Sequence, residues 1–128
     1  MRSYEDLKAW QLAHALVIAI YRATDSWPST ERYGLISQAR RAAFSIAVNI
    51  VEGNARRGPR ELRRFLDISI GSLTELRYIL TLARDIGYVD RDGFATLEGQ
   101  RDQVGRVLWG LYRSVLEPAR QAKRHQRT

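Results

Sequence analysis

The residues best placed for chemistry lie in a row: Gln38, Arg41, Ser45, Asn49 and Glu52 recur at spacings of three and four, so a helix presents them on one side. A following segment answers with Glu61, Ser72 and Glu75. If the chain folds back on itself near Arg57, antiparallel register brings Arg41 within a turn of Ser72 and Glu75, and Glu52 within a turn of Arg60 and Arg63. Such a polar seam has two readings. It is either an active-site or ligand-binding row, or a set of hydrogen bonds that fixes helix register or joins subunits. The second is favoured, because an active site also needs a general base or a metal, and neither is evident nearby.

The standard catalytic arrangements fail on ligand count. A di-metal bundle needs Glu plus Glu-x-x-His pairs on facing helices, and this chain has only His14 and His125. Of these, His14 falls in a helix seam and His125 in a basic tail, so a Ser-His-Asp arrangement has no suitable base. Cysteine is absent, which removes thiol catalysis, disulfides and Cys-ligated zinc. Glu52 and Glu75 are far apart along the hairpin, and each has arginines near enough to keep it ionised. Gly71-Ser72 lacks the strand-to-helix turn of a phosphate cradle, so Gly71 is read as a point of close backbone contact. No catalytic residue, cofactor or metal is expected.

Charge is the second signal. The formal net charge is +7, and the 21 basic residues include only two lysines, Lys8 and Lys123. Arg56, Arg57, Arg60, Arg63 and Arg64 fall within nine residues, answered by Glu61 alone. Arg120, Lys123, Arg124 and Arg127 form a second cluster near the C-terminus with no acid among them. Both suit a polyanion such as RNA or DNA, although an arginine bias also follows from a GC-rich genome.

These residues need elements to hold them, and the hydrophobic pattern supplies four helices. Trp10, Ala13, Val17, Ile20 and Thr24 mark the first, at about 4–25, with Ser3 as its cap. Pro28 breaks it, and Ser29 or Thr30 is expected to cap the second, about 30–53, which ends near Gly53-Asn54. Leu35, Ala39, Ala42, Ala43, Ile46, Ala47 and Ile50 give that helix a face of mostly small side chains for close packing. Pro59 opens the third, about 59–86, whose seam is Leu62, Leu66, Ser69, Leu73, Leu76, Leu80 and Ala83 and which Gly87 ends. The fourth, about 91–117, is capped by Asp90 or Asp92 and uses Phe94, Leu97, Val104, Leu108, Leu111 and Val115. Strand patterns and repeats are lacking. The fold class is all-α, an antiparallel up-down-up-down four-helix bundle over 1–118, with a frayed basic tail at 119–128. The longest apolar run, Ala15 to Ile20, is far short of the roughly 18 residues of a membrane span, and a cytoplasmic protein is expected.

Taken together, certain pieces resemble a known family. They are Tyr4-Glu5-Asp6-Leu7 with Trp10, Trp27-Pro28, Glu31-Arg32-Tyr33-Gly34-Leu35, Gln38 with Arg40-Arg41-Ala42-Ala43, Asn49-Ile50, Glu52-Gly53, Phe65-Leu66, Gly71-Ser72, Glu75-Leu76 and Gly87-Tyr88. In combination they are similar to the bacterial bundle proteins encoded by intervening sequences of large-subunit ribosomal RNA genes, also labelled ribosomal protein S23. Trp27 departs from the Phe more usual there. The resemblance implies a cytosolic four-helix bundle assembling as a homopentamer, with no assigned enzymatic activity. The chain is also similar to the accessory protein of diversity-generating retroelements, a pentameric basic bundle that contacts a reverse transcriptase and its RNA.

Three functions follow as expectations. The first is a non-catalytic homo-oligomer that binds nucleic acid, or a nucleic-acid enzyme, through the hairpin arginines and through Arg120, Lys123 and Arg124. The alternative is a structural or protein-interaction scaffold without nucleic-acid binding. An enzyme using the polar seam is third, and would need that seam to line an open cleft.

Overall fold

The computed structural model describes residues 3–127, with side chains described through Val115. A short 3-10 turn at Tyr4–Asp6 precedes α1 (Lys8–Thr24); a second at Ser29–Glu31 precedes α2 (Leu35–Ala55), and α3 (Pro59–Asp85) and α4 (Arg91–Arg127) complete the chain. Each helix packs on its two neighbours, α1 on α2 and α4, α3 on α2 and α4, which is the up-down-up-down bundle. The α2–α3 hairpin therefore sits at the end where α1 begins. The α1–α2 and α3–α4 connections share the opposite end.

One core runs down the middle. Leu16 and Ile20 of α1, Ile46 and Ile50 of α2, Leu66, Leu76 and Leu80 of α3, and Val104 and Leu108 of α4 are fully buried. The alanines of α2 serve as expected: Ala39, Ala42, Ala43 and Ala47 are all buried, and their small size lets α1 and α3 approach. Gly53 extends this row. A methyl group there would stand 3.0 Å from Leu62 Cδ1 and from Phe65 Cβ, so α2 and α3 converge on it and the helix runs past it to Ala55. Gly53 is thus a packing residue, not the helix stop expected from sequence.

The helix ends explain the other departures. The first helix divides at Leu7, which is extended at φ −78, ψ 125 so that its side chain reaches the core, and Ser3 Oγ accepts from Glu5 N two residues on. Neither Ser29 nor Thr30 caps α2. Gly34, at φ −109 and ψ −112, delays its start to Leu35, whose N–H donates to Glu31 Oε1 at 3.3 Å. Pro59 opens α3 as expected. Gly87 closes it at φ +86: its N–H donates to the Arg84 carbonyl and that of Tyr88 to the Ala83 carbonyl, a Schellman motif. Asp90 Oδ1 accepts from Gly93 N at 2.7 Å and caps α4. The fourth helix does not end near 117 with a frayed tail at 119–128 as expected but runs on to Arg127, although Arg120, Lys123 and Arg124 lie outside the described side chains. No helix among the described residues is long and apolar enough to cross a membrane.

Candidate nucleic-acid interface

The α2–α3 hairpin is built by a left-handed Gly58, φ +85, followed by Pro59 at the first turn of α3. This tight reversal gathers the arginines of both helix ends. Phe65, itself buried, is the platform: the Arg56 guanidinium lies 5.0 Å from its ring centroid and that of Arg64 5.1 Å. Arg64 also pairs with Glu61 at 3.5 Å. Arg57 and Arg60 are exposed and form no ion pair among the described residues. Arg63 is half-buried and turned toward α4, where its charge acts on Tyr112. Cation–π contacts of this kind restrict two long side chains to the hairpin surface, leaving their outward N–H groups to an anion.

Part of the polar seam forms, on the outer side of the hairpin, whereas Glu61 pairs with Arg64 instead and Glu52 makes no ion pair with Arg60 or Arg63 among the described residues. Ser45 Oγ and Ser72 Oγ are 2.7 Å apart, and Asn49 Nδ2 donates to the Ser45 carbonyl and hydroxyl at 2.8 and 3.2 Å. Gln38, Arg41 and Glu75 line a surface groove with the two serines, while Glu52 is exposed below it. The seam is thus half register lock and half open groove. The serines spend their hydroxyls on each other, and the one histidine with a described side chain, His14, is exposed on α1, stacked on Trp10 at 4.8 Å, rather than buried in a seam. Gly71 is exposed, with nothing within 4 Å of where a methyl would stand, so it is not the close contact expected of it.

Structure adds residues the sequence reading passed over. Arg40 closes α1 from outside, with Nε donating to Thr24 Oγ1 at 2.9 Å and Nη2 to the Tyr21 carbonyl at 3.2 Å and to Asp25 at 3.0 Å. Its signal was available, since Arg40 interrupts the apolar row Ile36, Ala43, Ala47. Arg101 likewise fills the gap between Leu97 and Val104 in the α4 seam; it is 8% exposed and paired with Glu98 at 2.8 Å and Asp102 at 2.9 Å. Glu31 ties the two connections together, accepting from Tyr88 Oη at 2.9 Å, beside the Trp27–Tyr88 ring contact at 5.9 Å. That hydrogen bond to a carboxylate, aided by burial and by the Glu31 charge, raises the Tyr88 pKa above its ordinary value.

A bundle without strands among the described residues, with a side-chain lock at one end and an arginine hairpin at the other, defines a small basic up-and-down helical protein. Residues 5–110 match the profile of the 23S rRNA-intervening sequence proteins, and the chain belongs to that family. Its fold is similar to the crystal structure of a protein of unknown function from the S23 ribosomal protein family of Bacteroides thetaiotaomicron VPI-5482, with a TM-score of 0.73 over 81% of this chain and 97% of that one. Identity is 17%, so that likeness concerns the fold alone. No curated protein sequence matches this chain.

Proposed function

We propose that this protein is a non-catalytic, self-associating bundle that binds the phosphate backbone of a nucleic acid through its α2–α3 hairpin. The carrying observation is the hairpin itself. Five arginines stand there against one acid, with Arg56 and Arg64 braced on Phe65 and Arg57 and Arg60 free of acidic partners among the described residues. Each arginine that neutralises a phosphate releases counterions, so affinity is salt-dependent. Arg120, Lys123 and Arg124 add charge to the same chain, and a nucleic-acid enzyme presenting bound RNA would meet the same surface. The non-catalytic part is supported by the seam, where the Ser45 and Ser72 hydroxyls are hydrogen-bonded to each other rather than to a carboxylate or histidine among the described residues. Self-association is supported by a shallow groove between α3 and α4, where Trp109, 44% exposed, stands beside Gly105, which packs closely on the buried Leu73.

Replacing Arg56, Arg57, Arg60 and Arg63 together by Ala tests the reading. With single-stranded RNA, the slope of log affinity against log salt should fall in magnitude by up to about 3, at roughly 0.7 per phosphate contact, while helicity is unchanged. Binding that keeps its affinity and slope would refute the hairpin as the interface. No binding by the natural chain at low salt would favour the protein-interaction scaffold instead.

A further inference from the structure

At the other end of the bundle, a groove of about 520 Å³ opens between the end of α1 and the start of α2, a size suited to a small ligand. Four of its lining side chains are aromatic (Tyr21, Trp27, Tyr33 and Phe44) and only Ile36 is aliphatic. Two of the rings are committed to the fold: Trp27 is buried, and Tyr21 lies under the Arg40 guanidinium at 4.6 Å. The other two are not. Tyr33 is 91% exposed and Phe44 56%, an unusual cost in uncovered ring area for neighbouring residues of one groove.

Its charges sort in the same way. Asp25, the one acid of the lining, is neutralised by Arg40 at 3.0 Å. Arg32 and Arg41 also line the groove, are exposed, and form no side-chain hydrogen bond or ion pair among the described residues. Two uncovered ring faces and two unpaired guanidinium groups, planar and cationic, complement a planar base joined to a phosphate. A helical peptide would need a continuous apolar groove, and this lining is interrupted by Asp25, Arg32, Arg40 and Arg41.

We infer that this groove is a binding site for an unpaired nucleotide, with the base stacked on Tyr33 and Phe44 and the phosphate held by Arg32 and Arg41. The inference rests on the nucleic-acid reading above and gives it a preference: single-stranded over duplex, because a paired base cannot reach a side-chain ring. From Phe44, the groove residue furthest along α2, to Arg56 at its end, the helix rises about 18 Å. A dinucleotide, roughly 7 Å long, therefore cannot touch both.

The test is titration of the intact chain with the 5′-phosphorylated adenylyl dinucleotide, followed by amide chemical shifts. Shifts should saturate and cluster within residues 21–44, and should persist in the hairpin variant lacking Arg56, Arg57, Arg60 and Arg63. Tyr33→Ala should weaken binding about tenfold, the loss of one base stack, whereas Tyr33→Phe should stay within about twofold. Because Tyr33 is exposed, neither substitution should alter helicity. Absent shifts at millimolar dinucleotide, shifts confined to 56–64, or equal binding by Tyr33→Ala would each overturn the site. A changed mass of the free Tyr33→Ala protein would also overturn it, assigning the groove to a second copy of the chain. Failure here leaves the hairpin reading standing if long RNA remains sensitive to the arginine substitutions.

Discussion

Two tyrosines link single side chains to the stability of the whole. Tyr88 donates to Glu31, and this hydrogen bond first, then burial and the carboxylate charge, raises its pKa above 10.0. Tyr112 is also raised, by burial, then by the hydrogen bond and charge of Asp67, with Arg63 opposing. The fold therefore prefers both phenols protonated. A pKa higher in the folded than in the unfolded chain means that the contribution is fully present below pH 10 and is lost as pH rises through the folded value. Denaturant midpoints should accordingly fall between pH 9 and pH 11. In Tyr88→Phe that fall should be shallower, since the phenylalanine has no proton to lose; a fall as steep as that of the natural chain would remove Tyr88 from the account.

Between elements, the two glycines of the α2–α3 pair have opposite roles. Gly53 lies where Leu62 and Phe65 of α3 press on α2, so Gly53→Ala forces apart the helices beneath the arginine platform. Overpacking of this kind costs about 1–3 kcal/mol, offset by about 1 kcal/mol of helix propensity, for a net loss of about 1 kcal/mol. Gly71 meets nothing within 4 Å, and Gly71→Ala should gain about 1 kcal/mol from propensity alone. Thermal melts should move a few degrees in opposite directions. Shifts of the same sign would show that the close approach at Gly53 is not what holds the hairpin. Propensity makes the two glycines look alike in sequence, and only the crossing of the helices separates them.

For the molecule as a whole, charge and uncovered apolar surface favour different partners at different faces. On the proposed function, the +7 excess would draw polyanions to the hairpin end, while the exposed Trp109 on α4 would offer the α3–α4 groove to another copy of the bundle. If assembly uses that groove, Trp109→Glu should lower the sedimentation coefficient toward that of a monomer, without loss of helicity or of the salt dependence of RNA binding per chain. An unchanged coefficient for a protein that does self-associate would place the contact on another face. Charge and assembly would reinforce each other, because each added copy repeats the arginine hairpin on the same particle.

Periodicity by itself determined the four helices, their order and most of the core, because a 3.6-residue repeat of apolar side chains has one way to be buried. Pro59, Gly87 and Asp90 were legible for the same local reason: each fixes backbone geometry or a cap through neighbours within a few residues. The arginine cluster could be read because it is contiguous, and the approach of Arg41 to Ser72 and Glu75 because helix register is arithmetic, whereas the Ser45–Ser72 hydrogen bond needed the packed helices. Tertiary structure alone decided the rest. That Arg40 closes α1 through Thr24, and that Tyr33 is bare while Tyr88 is tied to Glu31, depend on pairs far apart in the chain or on what covers a face. A side chain's role follows from which partner reaches it first, and that is a property of the packed bundle rather than of spacing.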